Sequence, residues 1–359
     1  MKRLVLAFLF APFLIVAHPK SFYDRPVRSW DDQDVGEYRK SPKYTAYNAS
    51  SRIDLRNAWG LSFGGSFTYW KAAQEGLDIA EFRPVNTGIA TELIYQKFSF
   101  RPGFQAYLLA KPNYDDWDMQ LKYTWYRSTT TSRKKASSLE LIVSRFADFA
   151  ADVESISSDW LLHMNLGDAE MGRSLFIGKH LSLRPFISAR LAFIKQRLGI
   201  DANVFPVVEF DGSSSALVVN SRQSKNYSRA WMLGPRIGCD IDFLLPFGFH
   251  LFTNASGTIF YFDYNANFAN QTVQNGVIKK GKAQEVYLRA NGDVSTGFGW
   301  GTSFGRSRFY LDISTMLDMK IFTGQNVMRH LADSTRLGID GNCGDLYFFG
   351  GSAKVRLDF

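Results

Sequence analysis

From Trp59 the chain alternates. Trp59, Leu61, Phe63, Gly65, Phe67 and Tyr69 fill the odd positions, and Gly60, Ser62, Gly64, Ser66 and Thr68 the even ones. A period of two is a strand pattern, and its length of about eleven residues is what a tilted strand needs to cross a bilayer. A helix would repeat near 3.6, which this stretch does not do.

The pattern recurs. Trp117, Met119, Leu121, Tyr123 and Trp125 alternate with Asp118, Gln120, Lys122 and Thr124. Leu181, Leu183, Ile187, Leu191 and Phe193 oppose Ser182, Arg184, Ser188 and Arg190. Ile237, Cys239, Ile241 and Phe243 oppose Arg236, Gly238, Asp240 and Asp242, and Phe309, Leu311 and Ile313 oppose Arg308, Tyr310, Asp312 and Ser314. The last strand sets Tyr347, Phe349, Ala353, Val355, Leu357 and the terminal Phe359 against Ser352, Lys354, Arg356 and Asp358. One face is apolar and aromatic while the other carries full charges. A soluble sandwich also alternates, but strands of ten or more residues exceed the usual five or six. The expectation is an all-β protein, a transmembrane antiparallel β-barrel of about 12–16 strands with fourteen as the central value. Fourteen strands imply a backbone diameter of roughly 28 Å.

Three regions follow. Residues 1–17 have the basic start of Lys2 and Arg3, an uncharged core from Leu4, and Ala17 before His18, which reads as a secretory signal peptide. Residues 18–57 are polar with Pro19, Pro26 and Pro42, an irregular segment placed either in the periplasm or inside the pore. Residues 58–359 form the barrel. Gly178-Lys179-His180 reads as a tight periplasmic turn, and polar stretches near 129–138, 201–226, 267–283 and 323–344 as external loops. The stretch from Gly199 to Tyr227 suits a surface hairpin or a loop folded into the mouth.

Composition adds limits. Aromatics make up 15% of the chain, and only 2 cysteines are present, which excludes a disulfide scaffold. The net charge of +8 falls to +6 without Lys2 and Arg3, and the basic residues are scattered. No nucleic-acid partner is therefore expected, Arg133-Lys134-Lys135 reading as a solvated loop. The mean hydropathy of −0.17 argues against a helical membrane protein and not against a barrel.

Several blocks carry a family resemblance. They are WGLSFGGSFTYWKAAQEGLDIA from Trp59, PGFQAYLLAKPNYDDWDMQLKYTWYRS from Pro102, and WLLHMNLGDAEMGRSLFIGKHLSLRPFISARLAFIKQ from Trp160. MLGPRIGCDIDFLLPFGFHLFTNASGTIFY from Met232, FTGQNVMR, and DLYFFGGSAKVRLDF at the end complete them. In order and spacing they resemble the Legionella-type major outer membrane proteins, which are also found in chlamydia-related bacteria. The resemblance implies an integral outer-membrane porin of a Gram-negative bacterium, with adhesive or antigenic loops and no catalytic residues.

Little catalytic chemistry is legible. The five histidines are His18, His163, His180, His250 and His330, and no pair has metal-ligand spacing. Asp115, Asp116 and Asp118 around Trp117 read as a turn followed by a lumen-facing Asp118. Gly297, Gly299, Gly301 and Gly305 alternate with aromatics and suit close ring packing rather than a phosphate loop. No enzyme activity, cofactor or metal is expected. The expected function is a porin for passive diffusion of ions and small hydrophilic solutes, with Lys122, Arg184, Arg190, Asp240, Asp242, Asp312, Lys354 and Arg356 lining the pore. The alternatives are a structural or adhesive barrel acting through its surface loops and, last, a barrel enzyme. Expected partners are outer-membrane lipid, the assembly machinery that would read Phe359 as its signal, the solutes, and further copies of the chain. Cys239 and Cys343 are candidates for a disulfide, for cross-links between chains, or for unpaired thiols.

Overall fold

The structure is a computed structural model. It describes residues 51, 53, 55, 59–84, 92–112, 117–135, 140–144, 153–204, 207–211, 214–218, 221–272, 278–337 and 343–359. The signal peptide expected at 1–17 and nearly all of the 18–57 segment therefore lie outside the described residues.

Ten strands form the barrel: β1 (Leu61–Gln74), β2 (Phe100–Ala110), β3 (Trp117–Lys135), β4 (Val153–Arg173), β5 (Leu181–Val204), β6 (Ser221–Leu244), β7 (Phe249–Thr272), β8 (Ile278–Phe304), β9 (Phe309–Phe322) and β10 (Leu346–Asp358). Each pairs antiparallel with the next, and β10 pairs with β1, which closes the sheet. The expected fourteen strands become ten. That expectation took eleven residues, one membrane crossing, as the strand length, whereas β3 to β8 run 19 to 27 residues. Fewer, longer strands use the same chain. Ten strands tilted about 40° give a backbone diameter of roughly 20 Å, not 28 Å.

Both ends of the barrel chain lie at one rim, where Leu61 and Phe359 are hydrogen-bonded. Short connections gather there, including the Gly178-Lys179-His180 turn and a 3₁₀ turn at Pro246–Gly248. Short turns mark the periplasmic end of such barrels, so the longer connections face outward. Three of the expected loops begin later than the sequence suggested. Residues 129–135, 201–204 and 267–272 still belong to strands, because alternation persists there in polar dress. The segment after β5 contains a hairpin of Val207–Asp211 with Ser214–Val218, one of the two forms expected for it. The segment after β9 contains helix α1 (Val327–Leu337), where the polar stretch 323–344 predicts an external loop.

A 24-residue strand tilted about 40° rises roughly 60 Å, twice the ~30 Å hydrocarbon core. The tall wall β3–β8 therefore stands half outside the membrane, and its polarity inverts partway up. In the inner half Ile237, Ile241 and Phe243 on β6 and Phe249 and Leu251 on β7 face lipid, while charges face inward. In the outer half the charged Arg127, Lys195 and Arg229 face outward, while Leu162, Met164, Ile194, Leu198 and Met232 are buried inside. The outer half is thus built as a water-soluble barrel on top of a membrane barrel. The register needs no shift for this; only the residue types exchange faces.

Candidate functional site

The lumen is the site, and it has three layers. The outermost is apolar. The lower wall of β9, β10, β1 and β2 stops short here, and α1 fills the space, leaning on β6, β7 and β8. Val327, Met328, Leu331 and Ala332 of α1 are buried against Phe260, Phe262 and Tyr264 of β7 and Met232 of β6. Asn326 caps the helix, its Oδ1 accepting from Arg329 N–H at 3.1 Å, and its Nδ2 donates to Glu75 O at 2.8 Å. Arg329 pairs with Asp333 at 2.7 Å and Asp78 at 3.2 Å, tying α1 to the β1–β2 connection. Beneath it Trp160 donates to Gln196, Gln196 to Gln74, and Gln74 to the Gly344 and Asp345 carbonyls, all at 3.0–3.2 Å.

The middle layer is aromatic. Phe260, Phe322, Phe348, Tyr126 and Trp70 form a chain of ring contacts 5.4–6.3 Å apart, from β7 through β9 and β10 to β3 and β1. Trp70 is fully buried, and its Nε1 donates to Asp318 at 2.9 Å.

The innermost layer is ionic. Arg190 on β5 forks onto Asp168 of β4 at 2.6 and 3.1 Å and reaches across to Asp293 and Asn291 on β8. Arg236 on β6 holds Glu170 of β4 and lies 3.9 Å from Asp293. Arg184 on β5 holds Asp118 of β3 and meets Asp240 at 2.8 Å and Glu170 at 3.6 Å. Lys320 on β9 lies 3.7 Å from Asp293. Bonds between strands that are not neighbours in the wall pass through the lumen. Arg190 is only 1% exposed, so no water-filled passage runs beside it. Charges this deep persist because each has partners.

All eight residues expected to line the pore lie on the inner face. Arg184, Arg190 and Asp240 belong to the ionic layer, and Lys122 stands opposite Asp168 in register. Nearer the periplasmic mouth are Asp242, Asp312, Lys354 and Arg356. Asp312 lies 3.4 Å from His250, Arg356 forms an ion pair with Asp358 at 3.2 Å, and Lys354 sits over the Tyr107 ring at 5.0 Å. Arg356 and Asp358 are neighbours on β10, whereas the His250–Asp312 and Lys354–Tyr107 contacts each reach past one intervening strand. Asp168, Glu170 and Asp293 were missed as site residues, although Asp168 and Glu170 alternate visibly with Gly167, Ala169 and Met171. Inward Gly297, Gly299 and Gly301 each lie under a ring, those of Phe252, His250 and Tyr310, where a Cβ would collide. That matches the close ring packing expected of them.

Ser51 hydroxyl meets Ser182 hydroxyl at 2.6 Å on the inner wall, and its N–H donates to Ser174 O, which places Ser51 at the periplasmic mouth. Cys239 and Cys343 form no disulfide with each other, which corrects that candidate pairing. Cys239 is on the lipid side of β6 in the inner half, whereas Cys343 packs against the apolar core of the outer half.

A closed antiparallel barrel with a lipid-facing apolar belt and a polar inner layer defines an integral protein of the Gram-negative outer membrane. Residues 38–332 match the family described as Legionella pneumophila major outer membrane protein precursor, and the chain belongs to that family. Among curated proteins none matches. Solved structures with similar architecture include the outer membrane protease OmpT of Escherichia coli, at 10% identity and TM-score 0.41, covering 87% of this chain and 100% of that one. A FadL homologue of Pseudomonas aeruginosa aligns at 8% identity and TM-score 0.27, covering 83% and 89%. The Pseudomonas putida toluene transporter TodX aligns at 8% identity and TM-score 0.24, covering 84% and 90%.

Proposed function

We propose that this protein is a closed structural barrel of the outer membrane, acting through its raised outer half and loops. It is not held open as a diffusion porin. The observation that carries this reading is the Arg190 cluster, which joins β4, β5 and β8 across the lumen. The α1 plug above it supports the same conclusion, because a solute would meet two unrelated barriers in series.

The test is single-channel recording of the purified, folded full chain in a planar bilayer. A silent wild type, with steps appearing only when Arg190→Ala is combined with Leu331→Asp to displace α1, is the expected result. Regular conductance steps from a homogeneous wild type would favour the porin reading. That reading has one observation behind it: Asp240 in the ionic layer and Arg356 near the periplasmic mouth keep 23% and 26% of their side chains exposed. On it, α1 and the Arg190 cluster are gates.

A further inference from the structure

We propose that a cleft in the outer wall between β1, β2 and β3 binds the phosphorylated headgroup of an outer-leaflet lipid. β2 begins at Phe100, and its topmost pairing with β3 is Gly103 to Tyr126, whereas β3 continues to Lys135. The wall is one strand short above that level. The chain preceding β2 threads the gap: Gln96 Nε2 donates to Thr130 O at 2.8 Å, Lys97 N–H to Ser132 Oγ at 2.8 Å, and Phe98 packs edge-on to Trp160. What remains open is a cleft of about 920 Å³ facing the membrane side of the wall.

Its chemistry is divided by height. The lower part is lined by Phe67, Pro102, Phe104 and Trp125, with Phe104 and Trp125 stacked at 5.5 Å. The upper part is lined by Lys97, Arg101 and Arg127 with Ser99 and Thr129. No carboxylate lines the cleft, and among the described residues no ion pair engages those three cations. Arg101 gives one nitrogen to Thr129 O at 2.9 Å and keeps the rest of its fork. The outward acid nearest in register, Asp159, is held by the Thr131 hydroxyl at 2.6 Å.

The height of the cleft identifies its occupant. Trp125, Asn165, Phe193 and Trp231 are consecutive register partners, and the next outward row is Arg127, His163, Lys195 and Arg229. Along β3 to β6 the aromatic belt therefore ends at the Trp125 row and a basic row begins with Arg127, and both residues line the cleft. Lipid phosphates lie at that line, with acyl chains below it. A soluble anion would have no use for the aromatic floor. An uncharged lipid would leave three cations without partners. Arginine forks and hydroxyls are the donors that phosphate oxygens accept best.

The test uses the folded full chain in detergent micelles, titrated with bisphosphorylated lipid A. Replacing Lys97, Arg101 and Arg127 together by Gln should weaken binding about tenfold or more. Removing the same charge from the far wall, K225Q/R229Q/K282Q, should change it by less than about threefold. Dephosphorylated lipid A should bind as weakly as the cleft variant does to the intact lipid. Heat-modifiable migration on gels confirms folding, and R127Q alone, expected to weaken binding about fivefold, serves if the triple variant fails to fold. Equal losses from both triple variants would show a diffuse basic belt and overturn the site. Full competition by inorganic phosphate would overturn the lipid assignment.

Discussion

Leu61 and Phe359 exchange backbone hydrogen bonds at the seam of the barrel, Phe359 N–H donating to Leu61 O at 2.9 Å and Leu61 N–H to Phe359 O at 3.1 Å. The Phe359 ring stacks on Phe63 at 5.5 Å and meets Trp59 edge-on. The terminal residue thus latches the first strand to the last. Deleting Phe359 should lower the yield of inserted, heat-modifiable barrel severalfold. The equilibrium stability of the barrel that does insert should fall by only about 1–2 kcal/mol, for a lost ring contact and marginal hydrogen bonds. Phe359→Tyr should restore the yield. Membrane fractionation reads this out, and normal insertion of the truncated chain would remove any assembly role for the ring.

Arg190 is the most deeply buried cation of the ionic layer, and two of its partners are carboxylates on opposite sides of it. Arg190→Ala leaves Asp168 and Asp293 facing each other without it. The expected loss is about 3–5 kcal/mol in urea titrations of the vesicle-embedded barrel. Arg190→Lys keeps the charge but loses the fork, and should recover only part of that loss. A further Asp293→Asn change should offset some of the Ala variant's cost, which a double-mutant cycle measures.

The lipid-facing half of the fold was legible because alternation there is absolute. From Phe243 back to Trp231 every odd residue of β6 is Phe, Ile, Cys, Pro, Leu or Trp. The outer half was not, because the same alternation continues with its meaning reversed. Lys195 and Arg197 sit in the register that carries Leu191 and Phe193 lower down, and a rule that assigns one face to lipid breaks at that point. Strand number failed with it, since polar outward residues were read as loop. The inward charges were legible by register, but their pairing was not. Arg190 and Asp293 are 103 residues apart, and only barrel closure at ten strands brings them within reach. Helix α1 was hidden for another reason: VMRHLADSTRL gives a single apolar stripe in a polar stretch, and only the buried wall shows what that stripe faces.

The two cysteines should report the two halves separately. Cys239 lies among lipid-facing residues, flanked in register by Pro185 and Ala255. It should react with a lipid-soluble maleimide in vesicles and resist a charged, impermeant one. Cys343 packs against the outer core and should be slow with both reagents. Migration on gels should be the same with and without reductant for the monomer. A shift on reduction would reinstate an intrachain disulfide and contradict the placement of Cys239.

Leu331 decides whether α1 is a structural plug. It is 6% exposed and packs into the apolar outer core with Met328 and Ala332. An aspartate there would be unpaired and dry, so the helix should leave the wall rather than keep its charge buried. Leu331→Asp should therefore expose α1 to protease and speed labelling of Cys343, while Leu331→Ala loses about 2–4 kcal/mol with α1 still docked. Conductance separates the two barriers. With α1 displaced and the Arg190 cluster intact, the channel should remain closed, because the ionic layer alone still blocks the lumen. Combining Leu331→Asp with Arg190→Ala should open it. If Leu331→Asp alone gave stable conductance steps, the ionic layer would be permeable and α1 the only closure.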